Sequence, residues 1–75
     1  MTKDMRYAII IEKGKRGYSA YVPDLPGCIA AAGTLGQVKQ LMRTAIAMHV
    51  EDLREQGLPV PSPSSLCEYV TVRAA

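Results

Sequence analysis

The chain of 75 residues has no tryptophan or phenylalanine, one histidine and only two cysteines. Without those large rings, stacking on nucleic-acid bases would depend on its four tyrosines, which strand packing explains more simply. Cys28 and Cys67 form no CxxC pair, so we expect two reduced thiols, no metal site and a cytoplasmic protein. No apolar run approaches the roughly 20 residues that span a bilayer. Residues 1–5 are not followed by the apolar region and cleavage site of a signal peptide, so we expect none.

Residues for catalysis are equally sparse. Glu51 and Asp52 share only part of a helix face with His49, so we interpret this histidine as a packing residue. The predicted strands carry only Glu12 and Glu68, which are too few carboxylates for two-metal nuclease chemistry. Phosphate-binding glycine loops and hydrolase motifs are also absent from the sequence. We therefore predict no catalytic residues, no cofactor and no enzymatic activity.

What is present is typical of one small globular domain spanning residues 1–75. Hydrophobic residues make up 48% of the chain, and the net charge is only +2, because nine basic residues are offset by seven acidic ones. A domain of this size has a marginal core, for which a partner subunit can compensate. Residues 1–4 are predicted to be a flexible N-terminus.

Hydrophobic patterning predicts three strands that reverse direction twice. The first strand, residues 6–12, is apolar on both faces, which favours a central strand covered on both sides. A turn at residues 13–17, with glycines free to adopt positive φ, leads into a second strand at 18–22. The prolines of residues 23–27 end that strand in a rigid loop, and residues 28–32 form the third strand.

A long amphipathic helix follows the third strand. It begins at Thr34, whose spacing to Gln37 matches a capping box, and continues for about 22 residues until Gly57 ends it. Residues 58–66 are predicted to be a stiff proline-rich connector. Residues 68–72 form the last strand.

The order β-β-β-α-β predicts an α+β fold in which the fourth strand lies parallel to the first. The sheet order is then 3-2-1-4, with the helix on one face. Because nothing covers the other face, we expect a homo-oligomer, most simply a dimer, with strand pairing at the fourth strand as a second contact. The residues expected at the oligomer interface are Ala8, Ile10, Ile29, Tyr69 and Val70.

The segment Tyr18-Ser-Ala-Tyr-Val-Pro-Asp-Leu-Pro-Gly-Cys28 resembles the HicB-like antitoxin family, which carries Y-x-A-x-x-P-D-L-P-G-C between its second and third strands. Residues 57–63 resemble the G-x-x-x-P-x-P connector of that family, and the resemblance spans roughly residues 5–73. It implies a partial RNase H-like fold without the nuclease carboxylates. It also implies a partner, the HicA toxin, a small basic ribonuclease with a double-stranded-RNA-binding-like fold whose active site the antitoxin domain covers.

Three features depart from the family pattern. The helix starts with residues 36–39, Gly-Gln-Val-Lys, where acidic residues are usual, and the chain is +2 where members are commonly acidic. The sequence ends at Ala75 without the DNA-binding segment of longer members, so direct DNA binding is not expected. An orphan oligomeric domain that binds another protein or a small ligand is therefore an alternative to the antitoxin. A nucleic-acid-binding protein is a third functional class.

The loop at residues 23–27 is the predicted surface for a partner. Its two prolines restrict the free loop, so little entropy is lost when it is ordered by binding. Leu25 has two interpretations, as a small anchor for the partner or as a core residue. The residues predicted to bind the partner are Tyr21, Pro23, Asp24, Leu25, Pro26 and Gly27.

Overall fold

The computed structural model of the chain describes residues 4–74. Three antiparallel strands in the order β1-β2-β3 form a sheet, and one helix follows them. This arrangement confirms the predicted α+β class and the 3-2-1 part of the predicted sheet. Of the predicted flexible segment, residues 1–3 lie outside the described residues. The elements are β1 (Ile10–Lys13), β2 (Tyr18–Tyr21), β3 (Ile29–Ala32) and α1 (Leu35–Glu55).

The strands are shorter than the sequence predicts because the loop after β2 ends the ladder early. Ile10 is paired with Tyr21 at the end of β2, and the amide of the next residue, Val22, already donates across the loop to the Cys28 carbonyl at 3.2 Å. Pro23 has no amide hydrogen and cannot extend the strand. Residues 6–9 therefore run past the end of β2 and are not part of β1.

The prediction that the first strand is central is wrong for the described chain, because β1 is an edge strand. The predicted fourth strand, residues 68–72, pairs with none of the strands within residues 4–74, so the order 3-2-1-4 is realised only as far as 3-2-1. Tyr69 and Val70 are 93% and 83% exposed. They do not pair with β1 because the proline-rich connector that precedes them is bound to Asp24, in the loop between β2 and β3.

The core lies between α1 and the face of the sheet formed mainly by β2 and β3. Ile11, Ala20 and Ala30 share one row across the three strands on this face, and the small alanines let the helix approach closely. Fully burying an aliphatic side chain contributes roughly 1.5–3 kcal/mol, so a core of this size gives only modest stability. The buried residues are Ala20, Val22, Leu25, Cys28, Val38 and Met42.

Both limits of α1 agree with the sequence prediction, and one of the two bonds of the predicted capping box is formed. The Thr34 hydroxyl oxygen accepts a hydrogen bond from the Gln37 amide at 3.1 Å, which satisfies a donor of the first turn. At the other end, the Leu58 amide donates to the Leu53 carbonyl at 2.9 Å, and the Gly57 amide donates to Arg54 at 3.1 Å. These two bonds are the Schellman pattern that ends a helix, and α1 is 21 residues long.

The face of the sheet opposite α1 carries a row of apolar side chains, Ile10, Tyr21 and Ile29, which are register partners across the strands. Within residues 4–74 no helix or strand covers this open face. Ile29 is 70% exposed and Tyr21 is 42% exposed. The single helix thus leaves an apolar surface behind it, as expected.

The β1–β2 turn needs glycine because another strand lies close to it, and not because of the predicted positive φ. Gly14 donates its amide to the Gly17 carbonyl at 2.7 Å, but neither residue has a positive φ. A Cβ atom on Gly17 would instead overlap the carbonyl oxygen of Ala32, at the end of β3. A Cβ atom on Gly14 would lie 3.7 Å from its nearest neighbour, an ordinary contact.

We predict that Gly17→Ala lowers the free energy of unfolding by about 1–3 kcal/mol, because the end of β3 must move to admit the methyl group. The matched variant Gly14→Ala should change it by less than about 0.5 kcal/mol. Urea unfolding followed by circular dichroism measures both values. Equal effects at the two positions would show that close approach to β3 is not what requires glycine.

Candidate functional site

The loop between β2 and β3 consists of two consecutive β-turns. The Leu25 amide donates to the Val22 carbonyl at 3.1 Å, and the Cys28 amide donates to the Leu25 carbonyl at 3.1 Å. A proline stands second in each turn, where its fixed φ is preferred, and Gly27 stands third in the second turn with a φ of 85°. The order Pro-Asp-Leu-Pro-Gly therefore specifies the shape of this loop.

Every third residue of the double turn points into the core. Leu25 is 0% exposed, and Val22 and Cys28 are also buried. Of the two interpretations of Leu25, the structure supports the core residue. Its side chain does not reach the surface in this conformation. Burial raises the pKa of the Cys28 thiol, which favours the protonated, unreactive form.

Asp24 lies on the outside of the double turn and holds the proline-rich connector. The amides of Ser64 and Ser65 each donate to its Oδ2 at 2.9 Å, and their hydroxyls donate to Oδ1 at 3.1 and 2.8 Å. Four donors on one carboxylate favour its charged form, chiefly through the two backbone amides. They lower the pKa of Asp24 from 3.8 to about 2.

Tyr7 provides a second attachment for the connector. Its hydroxyl donates to the carbonyl of Pro61 at 2.5 Å. Burial and the nearby charge of Asp24 raise the pKa of Tyr7, and Arg54 opposes them. Tyr7 and Asp24, with the connector residues 61–65 that they hold, are called the connector clamp.

The sequence does not indicate the connector clamp, and it predicts partner binding for Asp24 instead. The bonded residues are 40, 41 and 54 positions apart, so no local pattern marks them. The pair Ser64 and Ser65 resembles any polar stretch of a proline-rich linker. Only the folded chain brings these donors to the carboxylate.

The clamp also sets the direction of the C-terminal arm, defined as residues 66–74. The connector passes Tyr7, which precedes β1, and then reaches Asp24, in the loop between β2 and β3. It therefore crosses the end of the sheet from β1 towards β3. By Ser65 the chain has moved away from the outer edge of β1, so residues 68–72 do not join that edge.

A groove of about 860 Å³ lies between the β3 side of the sheet and the second half of α1. Gly27 connects it with the double turn, and His49 lies half-buried in its wall. Ile29 and Met48, which are 70% and 67% exposed, give it an apolar part. Its three carboxylates are those of Glu51, Asp52 and Glu55.

The residues predicted to bind a partner are divided by the fold. Pro23, Pro26 and Gly27 are exposed on the double turn, and Tyr21 lies on the open face of the sheet. Of the predicted interface residues, Ala8 and Ile10 are half-buried and Ile29 is exposed on the open face, whereas Tyr69 and Val70 belong to the arm.

In residues 4–74 no three histidine, cysteine, aspartate or glutamate side chains lie close enough together to hold a metal ion. Nor is α1, the helix of this part of the chain, apolar enough to cross a membrane.

Comparisons with known proteins point to one family. The family model for the HicB_like antitoxin of bacterial toxin-antitoxin systems matches residues 7–74. A chain in a solved HicA3 and HicB3 toxin-antitoxin complex has a TM-score of 0.68 and 37% sequence identity, over 79% of this chain and 69% of that chain.

Two curated proteins are similar over most of the chain. Antitoxin HicB 2 of Photorhabdus laumondii is 31% identical over 80 residues, which cover 100% of this chain and 55% of that protein. An uncharacterised 14.9 kDa protein of Haemophilus phage HP1 is 36% identical over 66 residues, which cover 88% of this chain and 50% of that protein. The chain thus spans about half the length of these two relatives.

We predict that Asp24→Asn releases the connector, because a neutral amide accepts these hydrogen bonds more weakly and presents an NH₂ group to donors. Amide hydrogen exchange measured by NMR should show loss of protection at Ser64 and Ser65. The matched variant Asp4→Asn, at an exposed position ahead of β1, should leave that protection unchanged. Unchanged protection in Asp24→Asn would contradict the clamp.

The clamp should also depend on pH in one direction. The pKa of Asp24 in the folded chain, about 2, lies below its ordinary value of 3.8, so the ionised carboxylate favours the clamped state. This contribution is complete above the ordinary pKa and is lost as the pH falls through the folded value. The amide chemical shifts of Ser64 and Ser65 should therefore titrate with an apparent pKa near 2. A titration midpoint at the ordinary pKa would show that the four donors do not hold the carboxylate in solution.

Proposed function

Because the chain belongs to the HicB-like antitoxin family of bacterial toxin-antitoxin systems, we propose that it binds a small basic toxin of the HicA type and neutralises it by covering its active site. The observation that carries the proposal is the similarity, at 37% identity, to a chain in a HicA3 and HicB3 complex. Membership of this family also means that the chain is not an enzyme, as its sequence predicts.

We place the toxin on the groove and the adjoining exposed part of the double turn. Ile29 and Met48 supply the apolar contact that forms the centre of a typical protein interface. The carboxylates beside them supply a charged rim for basic side chains. Pro26 and Gly27 extend this surface on a loop whose shape is already fixed, so that little conformational entropy is lost on binding.

The net charge of +2 does not oppose a basic partner, because the charges are distributed unevenly. The groove carries three carboxylates along α1, at Glu51, Asp52 and Glu55. The densest basic cluster, Lys13, Lys15 and Arg16, lies at the β1–β2 turn. Complementary charges steer a partner and select it through the local surface, so the groove can attract a basic protein.

We regard the sheet and helix as a partial RNase H-like fold, which the succession of three antiparallel strands and a helix supports. We also place the protein in the cytoplasm, which its two free cysteines support.

The test takes the product of the adjacent reading frame, where that frame encodes a small basic protein, and purifies it separately from this chain. We predict that Glu51→Lys slows association about tenfold at low salt, because a positive charge then faces a basic partner. The matched variant Glu12→Lys changes the net charge equally on β1, away from the groove, and should associate nearly as fast as the unchanged protein. Stopped-flow or surface plasmon resonance measures both rates.

The difference between the two variants should shrink at high salt, because exposed charges are screened. If Glu12→Lys and Glu51→Lys slow association equally, the groove is not part of the interface with the toxin. If the neighbouring genes encode no small basic protein, or if that protein does not bind, toxin neutralisation is overturned in favour of the orphan domain.

A further inference from the structure

The C-terminal arm carries the least covered apolar side chains of the described chain. Leu66, Tyr69, Val70 and Val72 are 91%, 93%, 83% and 76% exposed. The chain has a radius of gyration of 14.5 Å and extends over 51 Å, whereas a compact chain of this length has a radius of gyration of about 11 Å. An arm of this composition, held away from its own core, is typical of a segment that packs on another molecule.

The sequence of the arm identifies the structure it forms on packing. Residues 68–72, Glu-Tyr-Val-Thr-Val, combine aromatic and β-branched residues, which have the highest strand propensity. Their backbone donors and acceptors face water unless the segment joins the edge of a sheet, where protein groups can pair with them. The arm therefore has the composition of a strand but pairs with no strand in the described chain.

The outer edge of β1 is free to receive such a strand. β1 pairs with β2 on one side, and its other side meets no strand within residues 4–74. An edge strand of this kind exposes a row of unpaired amide and carbonyl groups that readily pair with another chain. Beside it, the open face carries Ile10 of β1 and its register partner Tyr21 of β2.

The arm does not reach this edge in its own copy because the connector clamp directs it elsewhere. Ser64 and Ser65 are bound to Asp24 in the loop between β2 and β3. The arm would have to reverse at once and cross the end of the sheet to reach the outer edge of its own β1. A second copy can present the same edge without that reversal.

We propose that two copies of this chain exchange their arms, so that residues 68–72 of each copy pair with the outer edge of β1 in the other. The pairing is parallel, and it completes in trans the sheet order 3-2-1-4 that the sequence predicts. A second copy is the occupant because a two-fold exchange satisfies both arms and both free edges at once, whereas a different protein would leave the β1 edge open.

This exchange does not depend on the proposed toxin. The groove lies on the β3 side of the sheet, opposite the β1 edge, so both surfaces can be occupied together. The tests of the exchange need only the purified chain. Their failure would leave the toxin proposal standing, and failure of toxin binding would leave the exchange standing.

The first test compares two substitutions at one arm position by analytical ultracentrifugation. The unchanged chain should sediment at twice 8.1 kDa at micromolar concentration. Val70→Pro removes a backbone donor and should raise the dimer dissociation constant about tenfold or more, because both arms of the dimer are affected. The control Val70→Thr keeps strand propensity and the backbone amide, and should raise it by less than about threefold. A monomer for the unchanged chain, or equal constants for the two variants, would overturn the proposal.

The second test separates exchange from a strand that folds back on its own copy. Cys67 is exposed at the start of the arm, and Arg6 is exposed ahead of β1. A double variant with Arg6→Cys and Cys67→Ser is mixed with the unchanged chain and treated with a short bismaleimide. Exchange predicts a covalent product of twice 8.1 kDa that joins one chain of each kind. Its absence, together with an internally linked monomer when Arg6→Cys is made alone, would show pairing within one copy and overturn the exchange.

Discussion

Pro23 and Pro26 fix the backbone of the loop between β2 and β3 as two consecutive turns, and the positions of the other parts follow from this constraint. The first proline ends β2 and thereby limits the ladder to four residues per strand. The turns direct Leu25 into the space beneath α1, where it is fully buried. The core beneath α1 is small, so the loop supplies one of the few large side chains that stabilise it.

The same loop controls the outer surfaces of the molecule through Asp24. Because Leu25 points inward, its neighbour points outward and binds the connector through four hydrogen bonds. The connector is then held against the end of the sheet, and the arm leaves in a fixed direction. A motif of five residues thus determines where the core ends, where the connector runs and where the groove begins.

The fold separates two kinds of surface on opposite edges of one sheet. The β3 side, with α1, forms a groove in which apolar side chains lie beside carboxylates. The β1 side offers unpaired backbone groups, next to Ile10 and Tyr21 on the open face. In the two interactions that we propose, a different protein binds at one edge and a second copy at the other, and the two would use different chemistry: charge complementarity at the groove and main-chain pairing at β1.

The sequence by itself determined the features that depend on neighbouring residues: three strands, the limits of α1 at Thr34 and Gly57, the rigid loop, and the family to which the chain belongs. These follow from alternation, helix capping and turn chemistry, which act within a few positions. Only the tertiary structure decided that Leu25 is a core residue, that Asp24 holds a connector 40 positions away, and that residues 68–72 do not join β1 in the same copy. The physical reason is that a carboxylate finds its donors, and a strand its edge, through the path of the folded chain rather than through local propensity.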